Sequence, residues 1–412
     1  MKVLYITYDG LTGPLGASQI LPYLIGCARA GYEITIVSFE KESRRLQFGA
    51  ETEALCKTQG LTWLPQRFRS SPPYLAKFLD HRTMAKAAFK AAAAQQFGVV
   101  HCRSYPAAWV GLRLKRRLGI KLIFDMRGFW PDQRREGGRW TDAHPLGRYL
   151  FHRWKRHEAE LVAQSDHIVG LTDAAAAAIR SWPVYHGAPI TIIPCCADFQ
   201  VYRPSDPDAR LAARKALGIP PGAPTLGYIG SIGTVYLLRE QLRLFDAVRR
   251  RDGRARLLFI GHNSRQQILD EALLASVPLS EEDFTMVAAE RDKIGYWISA
   301  ADAGLCFCIP SFSSLGVSPT KLAEYLACGI PVIANRGVGD VGQILSSLKA
   351  GHVVPDFSNA SIEAAADAFF RLVAVDRHAI RERARPLLDL PRAIASYTGL
   401  YDELSKLEGA RS

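Results

Sequence analysis

The chain has 412 residues, 48% hydrophobic and 22% charged, with a formal net charge of +12, as in a soluble globular enzyme of two ordinary domains. No run of about 18 apolar residues is present to span a membrane, and the opening MKVLYITYDG turns polar too soon for a signal peptide and reads as a first strand. The eight cysteines include no C-x-x-C pair; the closest spacings, Cys195-Cys196 and Cys306-x-Cys308, lie in or beside apolar strands, which predicts reduced core thiols in a cytoplasmic protein rather than a metal site.

Residues 3–7 form a hydrophobic strand and 8–16 a loop with Gly13 and Gly16. The helical spacing of Ile20, Leu21, Leu24, Ile25 and Ala28 ends at Gly31, and 34–38 is a second strand. This β-α-β unit predicts a right-handed parallel arrangement. Gly13-x-x-Gly16 is not G-x-G-x-x-G, which speaks against a dinucleotide oxidoreductase. It serves a tight strand-to-helix turn, a close backbone approach to a phosphate or sugar, or both. Residues 70–73 are a loop, and the Ala-rich run through Ala94 is helical. Short strands at 99–101 and 121–125 end in Cys102-Arg103-Ser104-Tyr105 and Asp125-Met126-Arg127-Gly128-Phe129-Trp130. Ligands of open α/β sheets bind beyond the carboxyl ends of the strands, so Arg103, Asp125 and Arg127 are candidate site residues. The alternative is an internal Asp–Arg pair. Phe129, Trp130 and Trp140 either stack on a sugar ring or anchor a loop.

Cations crowd residues 113–156, where only Asp125, Asp132, Glu136 and Asp142 stand against them. Such a segment is a solvated basic face, or it meets an anionic membrane surface, a phosphorylated acceptor or nucleic acid. Nucleic acid is the weakest of these, since no recognised binding motif accompanies the charge. Strands at 167–171 and 190–194 close the first half, and the polar, Pro-rich stretch 203–207 reads as a linker. A second β-α series follows, with strands at 226–229, 257–260, 284–287, 304–307, 332–334 and 352–354; residues 394–407 are helical. The expected domains are 1–200, joined by a terminal helix at about 392–412, and 201–391.

Residues 311–335, SFSSLGVSPTKLAEYLACGIPVIAN, read as loop, helix, turn and buried strand. Ser318 is the expected N-cap and Pro319 the first helical residue. Leu322, Tyr325 and Leu326 make the apolar face, Gly329 caps the C-terminus, and Pro331 prevents continuation. Lys321 is out of place, because a cation in the first turn opposes the helix macrodipole. A bound phosphate would remove the conflict. The plainer reading is a surface pair between Lys321 and Glu324.

The run P-T-K-x-x-E-Y-x-A-x-G-x-P-V-x-x-N over residues 319–335 resembles the donor-site signature of retaining glycosyltransferases of the GT-B fold, glycosyltransferase family 4 (group 1) in particular. The resemblance implies an α/β fold of two Rossmann-like domains facing across a cleft, with the C-terminal helix crossing back to the first. It implies that Glu324 holds the donor ribose and that the helix N-terminus, with Gly316, Val317, Ser318, Pro319, Thr320 and Lys321, receives the diphosphate. The usual glutamate eight residues before Glu324 is Gly316 here. Gly230-Ser231-Ile232-Gly233-Thr234 resembles the family's second phosphate loop, with Ser231 and Tyr236 near the places of its usual arginine and lysine. Gly16 falls in the N-terminal loop that the family sets beside the donor phosphates. Pro194-Cys195-Cys196-Ala197-Asp198 resembles the hinge approach, with Cys196 replacing a glycine. The D-x-R-G-F-W string resembles the acceptor side. The family's histidine falls at or near Arg103, while His101 points into the sheet layer, so no catalytic histidine is expected.

The implied function is transfer of a sugar from a nucleotide-diphosphate sugar to a hydroxyl of a glycan, lipid-linked or small-molecule acceptor, in polysaccharide or glycoconjugate assembly. Lys321, Arg103, Asp125 and Arg127 are the expected catalytic residues. No D-x-D motif ends a strand, so no metal and no cofactor beyond the donor is expected. The departing phosphate would itself accept the acceptor's proton. The expected location is the cytoplasm, with peripheral attachment to the inner face of the membrane. The alternatives are a sugar-nucleotide epimerase on the same fold and an inactive nucleotide-sugar-binding subunit.

Overall fold

The computed structural model describes residues 1–233, 235–288 and 293–409. The chain folds into two compact units. The first comprises Met1–Pro194 together with the terminal stretch from Leu390, and the second Cys195–Asp389.

The first unit is built on a parallel sheet of β1 (Lys2–Thr7), β2 (Glu33–Glu40), β3 (Leu61–Arg67), β4 (Val99–Arg103), β5 (Lys121–Asp125), β6 (His167–Gly170) and β7 (Ile190–Ile192), in the order β3-β2-β1-β4-β5-β6-β7. Helices between the strands cover both faces, which is why β1 reads as a continuous apolar run and Val3, Leu4 and Ile6 are fully buried. Strand β3 was not evident in the sequence. It is an edge strand, paired only with β2, and Pro65 sits opposite Ser38, where a missing N–H is tolerated. The helix Leu390–Gly409 belongs to this unit and brings Tyr397 and Tyr401 against β4 and β5.

The second unit holds β8 (Thr225–Ile229), β9 (Arg256–Ile260), β10 (Phe284–Val287), β11 (Ala303–Cys306), β12 (Val332–Asn335) and β13 (Gly351–Val354), all parallel, in the order β10-β9-β8-β11-β12-β13. Leu322, Tyr325 and Leu326 pack with Ile229 and Leu258 on one face; Phe245, Phe259 and Phe369 fill the other. Gly329 has φ +70, and a Cβ there would lie 2.3 Å from the Arg377 carbonyl oxygen, so both conformation and space demand glycine at this turn. In each unit the strand order reverses beside the first strand, between β1 and β4 and between β8 and β11. These are the switch points where doubly wound sheets open a crevice at the carboxyl ends.

Candidate functional site

In the second unit the crevice is framed by the loop after β8, the loop after β11 and the helix Thr320–Ala327. The helix begins one residue later than the sequence predicts: Pro319 is the N-cap, with extended backbone, and Ser318 does not cap it. The Ser318 hydroxyl instead accepts a hydrogen bond from Cys195 N–H at 3.1 Å. Lys321 is therefore the second helical residue. It is not a surface residue paired with Glu324, for only 3% of it is exposed and its Nζ has no hydrogen-bond partner among the described residues. The ammonium lies 3.6 Å from the centre of the Tyr236 ring and 4.2 Å from that of Tyr228. Burial pushes the lysine's pKa down, against the pull of Cys306, Cys308 and Glu324. Glu324 accepts from the Tyr202 hydroxyl at 3.0 Å.

The loop after β8 is held from its neighbours. Ile232 N–H donates to Asn263 Oδ1 at 2.8 Å, Asn263 Nδ2 donates to the Gly230 carbonyl at 3.0 Å, and the Tyr228 hydroxyl donates to the Ser231 carbonyl at 3.0 Å. Ser231 and Gly233 lie on this loop; Thr234 lies outside the described residues. Gly316 ends a short 3-10 turn, and Val317 leads from it to Pro319.

In the first unit Asp125, at the end of β5, is completely buried. Its carboxylate receives the Tyr397 hydroxyl at 3.2 Å and lies 3.8 Å from both the Arg103 and Arg127 guanidiniums and 3.7 Å from His101 Nε2. Burial alone would raise its pKa, but Arg127, His101 and Arg103 outweigh that and hold it below the usual value. Arg103 also donates through Nε to Asp9 at 3.3 Å. His101 is fully buried, with its Nδ1 2.7 Å from the Tyr401 hydroxyl, and burial lowers its pKa against the pull of Asp125. Ser104 (φ 66) and Arg127 (φ 55) take left-handed backbone at the ends of adjacent strands, a conformation rare without glycine.

Gly16 answers to local packing: a Cβ would lie 2.2 Å from the Gly10 carbonyl oxygen and 2.5 Å from the Leu11 α-carbon. It lies in the short helix Pro14–Gln19, not in a loop reaching residue 16, and this close approach by itself demands glycine there. Phe129 and Trp140 are buried, and Trp130 packs against Tyr105, Trp140 and Trp154, so these aromatics anchor the segment after β5. The basic segment is less one-sided than its sequence window. Asp166 pairs with Lys115 at 2.6 Å and Lys121 at 3.4 Å, Glu160 with Arg116 at 2.7 Å, and Glu158 with Lys155. All three acids lie just beyond residue 156 and fold back onto it.

Residues 19–196 match the family described as glycosyl transferase 4-like domain, and residues 209–386 match glycosyl transferases group 1. The chain belongs to the group 1 glycosyltransferases. D-inositol 3-phosphate glycosyltransferase 2 of Catenulispora acidiphila is 25% identical over 304 residues, which is 70% of this chain and 67% of that one. A relative of similar name from Nocardia farcinica is 31% identical, over 47% of this chain and 42% of its own length. Among solved structures, sucrose-phosphate synthase from Thermosynechococcus elongatus superposes with a TM-score of 0.71 at 17% identity, covering 98% of this chain and 99% of that one. At that identity the likeness establishes the GT-B fold.

Three residues that brace the segments around these candidate sites in the glycosyltransferase were not evident in the sequence. Asn263 fastens the loop after β8. Glu40, 1% exposed, accepts Leu11 N–H at 2.8 Å, Thr12 N–H at 3.1 Å and the hydroxyls of Thr12 and Ser38 at 2.6 Å, and so shapes the loop after β1. Arg381 donates to the carbonyls of Phe199 and Tyr202 at 2.6 Å and to that of Ala327, tying the Tyr202 segment to the end of the helix that carries Glu324. Each acts through partners distant in sequence, and only Glu40, a carboxylate ending an apolar strand, left a local signal.

Proposed function

We propose that this glycosyltransferase retains configuration, taking a sugar from a nucleoside-diphosphate donor bound in the second unit and passing it to an acceptor hydroxyl held by the first. The observation that carries the reading is the Lys321 ammonium, buried without a hydrogen-bond partner among the described residues in the first turn of a helix at a topological switch point. The bond between the anomeric carbon and the phosphate oxygen breaks, and negative charge grows on the departing diphosphate. Lys321 and the free N–H groups of the helix stabilise that charge, and the phosphate takes the acceptor's proton. Glu324 holds the ribose, with Gly230, Ser231, Gly233, Thr234 and the backbone of Gly316, Val317, Ser318, Pro319 and Thr320 around the phosphates. No metal enters this scheme.

The Anabaena protein HepE, whose fold this chain shares with a TM-score of 0.69 at 12% identity over 98% of this chain and 99% of that one, is known in complex with UDP and glucose. A uridine donor is the first to test. The Catenulispora relative is named for D-inositol 3-phosphate, and Arg103 and Arg127 at the ends of β4 and β5 suit an anionic acceptor of that kind, with Asp125 positioning both guanidiniums.

A peripheral membrane location in polysaccharide or glycoconjugate assembly accords with a second observation. The tip of the helix Pro73–Ala94 exposes Tyr74, Leu75, Phe78 and Leu79, with Lys77 and Arg82 among them. No described helix is long and apolar enough to cross a membrane.

The test is a thermal-shift screen against nucleoside diphosphates and their sugars, followed by transfer assays with and without acceptor and chelator. A bound donor at 100 times its dissociation constant adds about 2.7 kcal/mol of stability. Stabilisation by a diphosphate nucleotide but not its nucleoside, with turnover that needs acceptor and survives chelation, is the expected result. Turnover of donor alone would favour the epimerase, and binding without turnover the inactive subunit.

A further inference from the structure

Tyr236 occupies a fixed place. Leu237 N–H donates to the Phe307 carbonyl and Ile309 N–H to that of Val235, each at 3.0 Å, and Tyr236 and Cys308 form an antiparallel bridge. Asn335, 2% exposed, braces that bridge: its Oδ1 accepts Cys308 N–H at 2.8 Å and its Nδ2 donates to the Cys308 carbonyl at 2.9 Å. The backbone that carries the Tyr236 ring is therefore tied to the sheet beside it. Tyr228 meets it nearly edge-on, at an interplanar angle of 80°, from the fully buried strand β8. Lys321 Nζ lies against both rings and has no hydrogen bond to any described group.

We propose that Tyr236, with Tyr228, is a positioning residue for the donor diphosphate: the two ring faces hold the Lys321 ammonium in place where hydrogen-bond acceptors would otherwise have to. The inference rests on the reading of Lys321 as the diphosphate's cation. A ring face attracts a cation through its quadrupole, and more strongly when water is excluded. Unlike a carboxylate, it does so without neutralising the charge that the phosphate needs. The other ionisable groups facing the ammonium are the thiols of Cys306 and Cys308, the phenols of Tyr228 and Tyr236, and the carboxylate of Glu324. Burial pushes both phenols up, so neither becomes an anion that could pair with the lysine near neutral pH.

The demand is for an aromatic face and not for a hydroxyl, which separates two substitutions. Tyr236→Phe keeps the ring; Tyr236→Leu removes it. Protein labelled with 13C at the lysine ε-carbons, with the Lys321 signal assigned by Lys321→Met, reports the titration of this ammonium in each variant. UDP and uridine affinities by calorimetry at pH 7 and 9 report its effect on phosphate. Tyr236→Leu is expected to titrate at lower pH than the parent and to lose about three- to thirtyfold in UDP affinity, more at pH 9, with uridine unaffected. Tyr236→Phe is expected to recover both properties. Should Tyr236→Leu not fold, Tyr236→Met, flexible and unbranched, gives the same readout. A Leu or Met variant that titrates with the parent, or a Phe variant that moves as far as Leu, overturns the cage. A moved titration with UDP affinity intact overturns the phosphate role of Lys321, and the positioning role with it, while leaving the ring–ammonium contact standing.

Discussion

The Tyr202 hydroxyl donates to Glu324 Oε1 across 3.0 Å, and Arg381 fixes the Tyr202 carbonyl from the other side at 2.6 Å. Glu324 thus meets a ligand with its carboxylate already oriented. Glu324→Gln keeps an oxygen for Tyr202 and removes the charge, so the fold should survive. Charge-assisted hydrogen bonds exceed neutral ones by about 1 kcal/mol, so nucleotide affinity should fall about fivefold or more with melting temperature unchanged. Tyr202→Phe should weaken binding less. Equal nucleotide affinity in Glu324→Gln and parent, by calorimetry, removes the ribose role.

Lys321→Met should cost turnover about ten- to a hundredfold, since the charge it opposes grows toward the transition state. Its effect on the ligand-free protein runs the other way. Burial lowers the folded pKa of Lys321 below its ordinary 10.5, so the unfolded chain binds the proton more tightly. The penalty on stability is complete below the folded pKa and is relieved as pH rises toward 10.5. The variant should therefore melt at or above the parent at pH 7, with the difference shrinking at alkaline pH. A loss of stability at pH 7 would mark the lysine as structural.

What could be read from the sequence was local. The buried parallel strands, the apolar face of Leu322, Tyr325 and Leu326, and the turn at Gly329 follow from spacing and residue type within one segment. The misreadings involve partners far along the chain. Ser318 has the residue type and position of an N-cap, but its hydroxyl is taken by Cys195, 123 positions away. For Lys321 it is only the alternative, a surface pair with Glu324, that fails, because the order of β8 beside β11 puts two tyrosine rings over it. The segment around Arg135 looked one-sided because Asp166 and Glu160 fold back from outside it. Asp125 was visible as a candidate, and its internal pairing with arginine as the alternative; that Tyr397 from the terminal helix also closes over it was not.

Acid should destabilise the first unit over a defined window. Burial lowers the pKa of His101, and pushes His81 and His157 down to about 4. A folded pKa below the unfolded value contributes stability that is complete above about 6.5 and is lost as pH falls through the folded value. Melting temperature should hold level from pH 8 to 7 and fall progressively from pH 6.5 toward 4. His81→Gln should flatten part of that slope. A melting temperature constant down to pH 5 would show that these imidazoles protonate without cost.

The exposed tip of the helix Pro73–Ala94 gives the membrane reading its sharpest test. Tyr74, Leu75, Phe78 and Leu79 are 58, 52, 57 and 40% exposed, and Arg82 lies over the Phe78 ring. Leu146 and Tyr149, at 47 and 51%, are exposed on the helix Pro145–Gln164, where Arg148, Arg153 and Arg156 make no ion pair among the described residues. Apolar side chains set among unpaired cations suit the boundary between headgroups and acyl chains of an anionic bilayer. The two contributions separate by salt. Replacing Arg148, Arg153 and Arg156 with Gln should remove up to about 1 kcal/mol each of the attraction to vesicles containing phosphatidylserine, and with it most of the salt dependence. Replacing Tyr74 and Phe78 with Ser should weaken sedimentation with the same vesicles while leaving the salt dependence in place. Neither set should change nucleotide affinity, because none of these residues belongs to the second unit, where the donor is proposed to bind. Sedimentation that is equal with neutral and anionic vesicles and indifferent to salt would leave this surface solvated and the enzyme without a membrane face.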